Sequence, residues 1–151
     1  MVFYTFNGED MGLKGSRVFC GEELPYGVVN GVNLDTLGVK EAEALEVSDT
    51  NAAMSEQMVE ALFQAGLGGT IVHVGNSDHA TLLANQIPAI SLGEVAEHYE
   101  GIIHTPSDTV DNLEPERLEQ IAEGLVSYLT GAQLVSWAES SEEERQAQRM
   151  F

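Results

Sequence analysis

The chain has 151 residues, 25 of them acidic and 6 basic, for a formal net charge of -19. That length supports one domain with a real core. The charge excludes nucleic acid as a partner, since that affinity comes from Lys and Arg, and it excludes an anionic membrane surface.

Hydrophobic residues make up 43% of the chain, which places it among folded globular proteins. No apolar run is long enough to span a membrane. The first residues carry no basic region of the kind that opens a signal peptide, so a cytoplasmic location is the default. Lysine occurs only at Lys14 and Lys40. This acid excess fits adaptation to high salt, where the charges are screened; an ordinarily acidic surface is the alternative. The single cysteine, Cys20, rules out an internal disulfide and a cysteine-rich zinc site.

Val2, Tyr4 and Phe6 alternate with Phe3 and Thr5 and predict a strand covered on both faces. It opens the chain with no lead-in, which suggests a domain whose beginning lies upstream. Glycines bracket a short helix over Leu13–Cys20, with Cys20 as a small buried hydrophobe. Val28–Asp35 reads as a second strand and Glu43–Ser48 as a third. Asn51–Ala65 reads as a helix capped by Asp49, Thr50 or Asn51 and followed by Gly66. Met54, Met58, Ala61, Leu62 and Ala65 form its apolar stripe. The glycine-rich run Gly66–Gly69 has no lysine and is not a phosphate-binding loop.

Thr70–Val74 reads as a strand carrying His73 as a packed histidine. Asp78–Gln86 reads as a helix and Ile87–Leu92 as a strand with Pro88 near its start. His98 reads as a surface residue. The final long helix starts at Glu114-Pro115, with Leu118, Ile121, Ala122, Leu125 and Leu129 as its stripe and Gly131 as a break or a weak point. Beyond Trp137, the polar segment Ser140–Arg145 has a capping-box pattern. The organisation is therefore one domain over residues 1–138 and an acidic tail or short helix over 139–151. Strands alternating with helices give an α/β fold with a layered sheet.

Chemistry-bearing residues gather at strand ends, where open α/β sheets form their sites. Glu9 and Asp10 follow Gly8, which allows the backbone to turn so that both carboxylates converge. Asp35 ends the second strand. Asp78 and His79 begin a helix. His104 precedes Pro106, which biases Thr105 towards an extended conformation, so the histidine sits at a strand end or on a stiff loop with Asp108 and Asp111. Carboxylates with histidine are ligands for zinc-like metals, and a further carboxylate can take a proton from water. The set suits metal-assisted hydrolysis.

The order of these motifs adds a resemblance. Phe3–Ser16 contains Gly-Glu-Asp-Met-Gly-Leu-Lys-Gly-Ser, which resembles the Gly-Glu-Glu-x-Gly-Leu-x-Gly-Ser segment of the M28 zinc aminopeptidases. Asn33-Leu34-Asp35-Thr36-Leu37-Gly38 resembles their Asn-Leu-Asp-Met-Val-Gly. Ser77-Asp78-His79 with Ile87-Pro88-Ala89, and His104-Thr105-Pro106-Ser107-Asp108-Thr109, resemble two further segments in the same order.

The resemblance implies a layered α/β/α sheet of the zinc-exopeptidase type, here without its N-terminal strands, and an enzyme that uses two zinc ions to remove N-terminal residues from peptides. It implies Glu9 as general base, Asp10, Asp35 and His104 as metal ligands, and Asp78, His79 and Asp108 near the substrate or behind the ligands. Asp10 stands where the family usually has glutamate. The family's His-x-Asp motif precedes the segment matched at Phe3 and is not in this sequence, which suggests an upstream segment or a partner chain as its source. An uncovered sheet edge would then invite self-association into a homo-oligomer. Two alternatives stand beside hydrolysis: an inactive folded remnant, and a one-metal transferase of the glutaminyl-cyclase type.

Overall fold

The structure, a computed structural model, describes residues 1–21, 28–42, 44–96 and 99–136. Glu43, His98, Trp137 and the segment 139–151 lie outside the described residues. The elements run α1 (Lys14–Gly21), β1 (Gly31–Leu34), β2 (Ala44–Ser48), α2 (Ala52–Gln64), β3 (Gly69–Val72), α3 (His79–Ala84), β4 (Ala89–Val95), a 3-10 turn (Val110–Asn112) and α4 (Pro115–Gly131).

The strands form one mixed sheet in the order β1-β4-β2-β3. β1 runs parallel to β4, with Gly31 opposite Ala89 and Leu34 opposite Leu92. β2 is parallel to β3 and antiparallel to β4.

Strand alternation splits the core into two layers. Ile90 and Leu92 of β4, with Leu45 and Val47 of β2, point to one face and meet Met54, Met58 and Leu62 of α2 and Ile121 and Tyr128 of α4. Ala89 points the other way and packs with Leu82, Leu83 and Ile87, against which Phe19 and Cys20 of α1 rest. Helices therefore cover both faces, giving an α/β/α sandwich. Each buried aliphatic or methionine side chain contributes about 1.5–3 kcal/mol. Gly31 marks a close approach: a Cβ there would lie 2.4 Å from Leu82 Cδ1.

Local signals explain most boundaries. Asn51 caps α2 by accepting the Met54 N–H at 3.0 Å, and Gly66 takes φ +80° just beyond the helix. Pro115 opens α4 and Gly131 closes it. The buried face of α4 is Ile121, Gly124 and Tyr128; Leu118, Ala122 and Leu129 of the predicted stripe are exposed. Gly124 accounts for the rotation, since a Cβ there would stand 3.0 Å from Leu62 Cδ2, and its absence lets α4 lie close to α2 on that side.

Two expectations fail. Residues 2–6 form no strand and are largely exposed; their rings pack on α1 instead, with Tyr4 and Phe6 at 4.3 and 5.4 Å from the Phe19 ring. Among the described residues no strand pairs with this segment, and a run apolar on both faces has no preferred side without one. His73 is not packed. β3 ends at Val72, and the His73 side chain is 67% exposed with Nδ1 3.3 Å from Asp49 Oδ1.

Candidate active site

Glu9 and Asp10 sit on a tight loop that leads into α1. Gly8 adopts φ +66° and Leu13 φ +58°. The Glu9 carbonyl accepts the N–H groups of Gly12 and Leu13 at 3.0 and 2.8 Å, and the Asn7 carbonyl accepts Gly15 N–H at 2.9 Å. Only glycine fits at position 15, because a Cβ would lie 2.7 Å from both N and O of Asn7. Ser16 Oγ is 2.9 Å from Thr81 Oγ1, which joins α1 to α3 and brings the loop beside Asp78 and His79.

Asp35 continues from β1, its N–H donating to the Leu92 carbonyl at 3.0 Å. Ser77 Oγ donates to Asp35 Oδ2 at 2.7 Å. Asn33 Nδ2 donates to Ser77 Oγ at 2.9 Å and to Ser91 Oγ at 3.1 Å. A carboxylate only accepts, so the Ser77 proton points at Asp35, and Asn33 must present its amide donor to Ser77. One oxygen of Asp35 is thus engaged from within the fold. Sequence reading missed Asn33 and Ser77; their one signal is position, two residues before Asp35 and one before Asp78.

Asp78 and His79 are buried at the start of α3, and Asp78 Oδ1 and His79 Nδ1 have no hydrogen-bond partner. Burial lowers the His79 pKa to about 4, against the opposing charges of Asp35 and Asp78. Glu9 has its pKa raised, first by burial and then by the charges of Asp35 and Asp10, a hydrogen bond with Asp10 and the charge of Asp78. Glu9 therefore feels the charges of Asp10, Asp35 and Asp78, which come to it from its neighbour in sequence and from two distant stretches.

His104 reaches this group from the far end of the chain. Its backbone holds φ +63°, a left-handed conformation uncommon for residues other than glycine. Its Nε2 lies 3.6 Å from Asp10 Oδ1, with the two side chains 65% and 68% exposed. That separation is too long for a hydrogen bond and close to the edge of a tetrahedral zinc site, roughly 3.3 Å for ligand bonds of about 2.0–2.1 Å. The loop beyond is self-supporting: Thr105 Oγ1 donates to the Ile102 carbonyl at 2.6 Å and Asn112 Nδ2 to the Ser107 carbonyl at 2.8 Å. Asp108 is exposed and accepts from Tyr99 Oη at 2.8 Å, so it anchors the loop.

The donor chemistry, carboxylate and imidazole oxygens and nitrogens, fits a zinc-like metal. The number does not complete one: among the described residues no group of three or more His, Cys, Asp or Glu side chains is placed to hold a metal ion. Catalytic zinc sites use three protein ligands.

Residues 1–129 match the family model described as Peptidase family M28. The chain belongs to peptidase family M28. Among solved structures, similar ones include an aminopeptidase from Aneurinibacillus sp. strain AM-1, 25% identical with a TM-score of 0.72 over 88% of this chain and 34% of that one. BSAP, a zinc aminopeptidase from Bacillus subtilis, is 23% identical with a TM-score of 0.68, over 91% of this chain and 37% of its own. A glutaminyl cyclase from Tannerella forsythia shares the fold at 18% identity and a TM-score of 0.60, over 79% of this chain and 46% of its own. The uncharacterized protein YfbL of Escherichia coli (strain K12) is 26% identical over 83 residues, 55% of this chain and 26% of that protein. The M28 chain thus spans about a third of the aminopeptidase structures it matches, 34% and 37%. Among the described residues no helix is long and apolar enough to cross a membrane.

Proposed function

We propose that this chain carries part of the active site of an M28 aminopeptidase, with Glu9 as general base, Asp10 and His104 holding one metal ion and Asp35 the other. The observation that carries the reading is the approach of His104 Nε2 to Asp10 Oδ1 at 3.6 Å, with Glu9 next to Asp10 in sequence and under the charges of Asp35 and Asp78. The remaining donors are assigned to the family's His-x-Asp pair, supplied by an upstream segment of a longer parent or by a partner chain. Zinc, when bound, polarises a scissile carbonyl and acidifies water.

The residues of the chain do the rest. Glu9, its pKa raised by burial and by the neighbouring carboxylates, takes a proton from the attacking water and returns it to the leaving amine. Asp78, which holds no metal in this reading, presents a buried oxygen without a partner, and its charge favours a cationic peptide N-terminus over a blocked one. His79, kept neutral by burial, adds no opposing charge there.

The test is hydrolysis of an aminoacyl p-nitroanilide and its N-acetylated counterpart by full-length protein loaded with zinc in molar salt. Cleavage of the free substrate alone is expected. No cleavage of either, by protein that holds zinc, contradicts the reading. A folded module without catalysis is the second reading, favoured by the absence of a three-donor group among the described residues. Zinc-free, inactive full-length protein would support it.

A further inference from the structure

A buried acid outside every recognised motif holds the turn that follows Asp35. Glu94 lies on β4 with its side chain 0% exposed, and Arg117, in the first turn of α4, covers it and donates from Nε to Oε1. The other oxygen, Oε2, accepts the N–H groups of Gly38 and Val39, the latter at 2.9 Å. A buried carboxylate is costly unless its partners are all present. Two of the three partners here are backbone, so the pair fixes a place in the chain. Arg117 is one of only 6 basic residues in the protein, and its half-buried side chain is committed to Glu94.

That turn is strained and connects both halves of the candidate site. Thr36 and Gly38 adopt φ +50° and +79°, and a Cβ on Gly38 would lie 2.4 Å from Leu118 Cγ. Asp35 immediately precedes the turn. On its other side, the Gly38 carbonyl accepts Glu114 N–H at 2.8 Å and Lys40 N–H donates to the Asn112 carbonyl at 2.9 Å. Val39 bridges to Leu113. The Val39 side chain is buried with Ala96 and Tyr99, and Ile102 and Ile103 pack on that cluster. His104 is the next residue.

We propose that Glu94, clamped by Arg117, is a positioning residue: through the Gly38–Val39 turn it sets Asp35 and the His104 loop in fixed relation to each other. The proposal rests on the reading of Asp35 and His104 as ligands of one metal centre, but the clamp itself is tested without metal. The experiment is amide hydrogen exchange by NMR on the metal-free chain in molar salt. Glu94→Gln keeps the shape and one acceptor oxygen and removes the charge that binds Arg117.

The amides of Gly38, Val39, Lys40 and Glu114, and those of Ile102 and Ile103, are expected to exchange on the order of tenfold to a hundredfold faster. Met58 and Leu62 in α2 should change only as the global stability does. A uniform rise at all these amides, or no change at the turn, overturns the proposal. Should Glu94→Gln fail to fold, Arg117→Lys keeps the charge, loses the planar fork and should loosen the same amides by less. Zinc added to wild type and variant as full-length protein, with the remaining donors present, separates the claims. Weaker binding by the variant extends the clamp to the metal centre, and equal binding overturns the positioning role. Zinc that fails to bind wild type counts against the metal reading and leaves the exchange result standing.

Discussion

The two halves of the candidate site are built differently. On one side Asp35, Asp78 and His79 are half-buried or buried and backed by Ser77, Asn33 and Ser91. On the other, His104 is 65% exposed on a left-handed backbone position, held by turn bonds of its own loop and by Ile102 and Ile103 beneath it. The first half is part of the fold's interior. The second is a loop placed against it, and strain of that kind persists only where the surroundings over-determine it. A substitution in the first half should therefore damage stability and chemistry together, whereas one in the second should damage chemistry alone.

The largest effect is expected at the boundary between the halves. Glu9→Gln in zinc-loaded full-length protein should lower kcat by about a hundredfold to ten-thousandfold while leaving zinc content unchanged. A variant that retains full activity would remove Glu9 from the base role and break the assignment of its raised pKa to catalysis.

The next contrast is direct. Asp35→Ala strips the acceptor from Ser77 Oγ and should cost the metal-free fold about 1–3 kcal/mol. His104→Ala should change metal-free stability by no more than about 0.5 kcal/mol. Chemical denaturation of the two variants side by side measures this, and equal costs would show that the halves are not distinct.

How much of this was legible follows from the same division. The Gly-Glu-Asp turn, the Asp35 strand end and the His104 loop are short local patterns, readable because turn chemistry and strand ends write themselves into neighbouring residues. The support behind them is not local. Ser77 meets Asp35 across 42 positions and Arg117 meets Glu94 across 23, and in a chain with 25 acids nothing marks Glu94 for burial. The strand expected over residues 2–6 failed for a related reason: its composition is strand-like, but pairing depends on a neighbour, and none of the described strands provides it. His73 was read from a strand assigned two residues too long.

A pH effect tests the interior half. Folding holds His79 neutral with a pKa of about 4, while the unfolded chain has its ordinary value of 6.5. Between those values the unfolded state takes up a proton that the folded state refuses, so His79 costs stability as pH falls from 6.5 towards 4. The full loss is about 3 kcal/mol. His79→Gln should flatten the difference in melting between pH 7 and pH 4.5; an unchanged pH profile would show that His79 is not held neutral by burial.

The smallest effect concerns the whole surface. With a net charge of -19, moving from dilute buffer to molar salt should raise the melting temperature. The gain should be on the order of 1 kcal/mol, or about 2–4 °C. The same melting temperature in both would remove the high-salt adaptation.

The most direct test of the central claim is the zinc content and affinity of the full-length protein, wild type against His104→Ala, by mass spectrometry with chelator competition. Shared ligation by Asp10 and His104 predicts bound zinc in the wild type and a loss of one ion, or a fall in affinity of more than about tenfold, in the variant. Wild-type protein without zinc, or a variant that holds it equally well, would contradict the account.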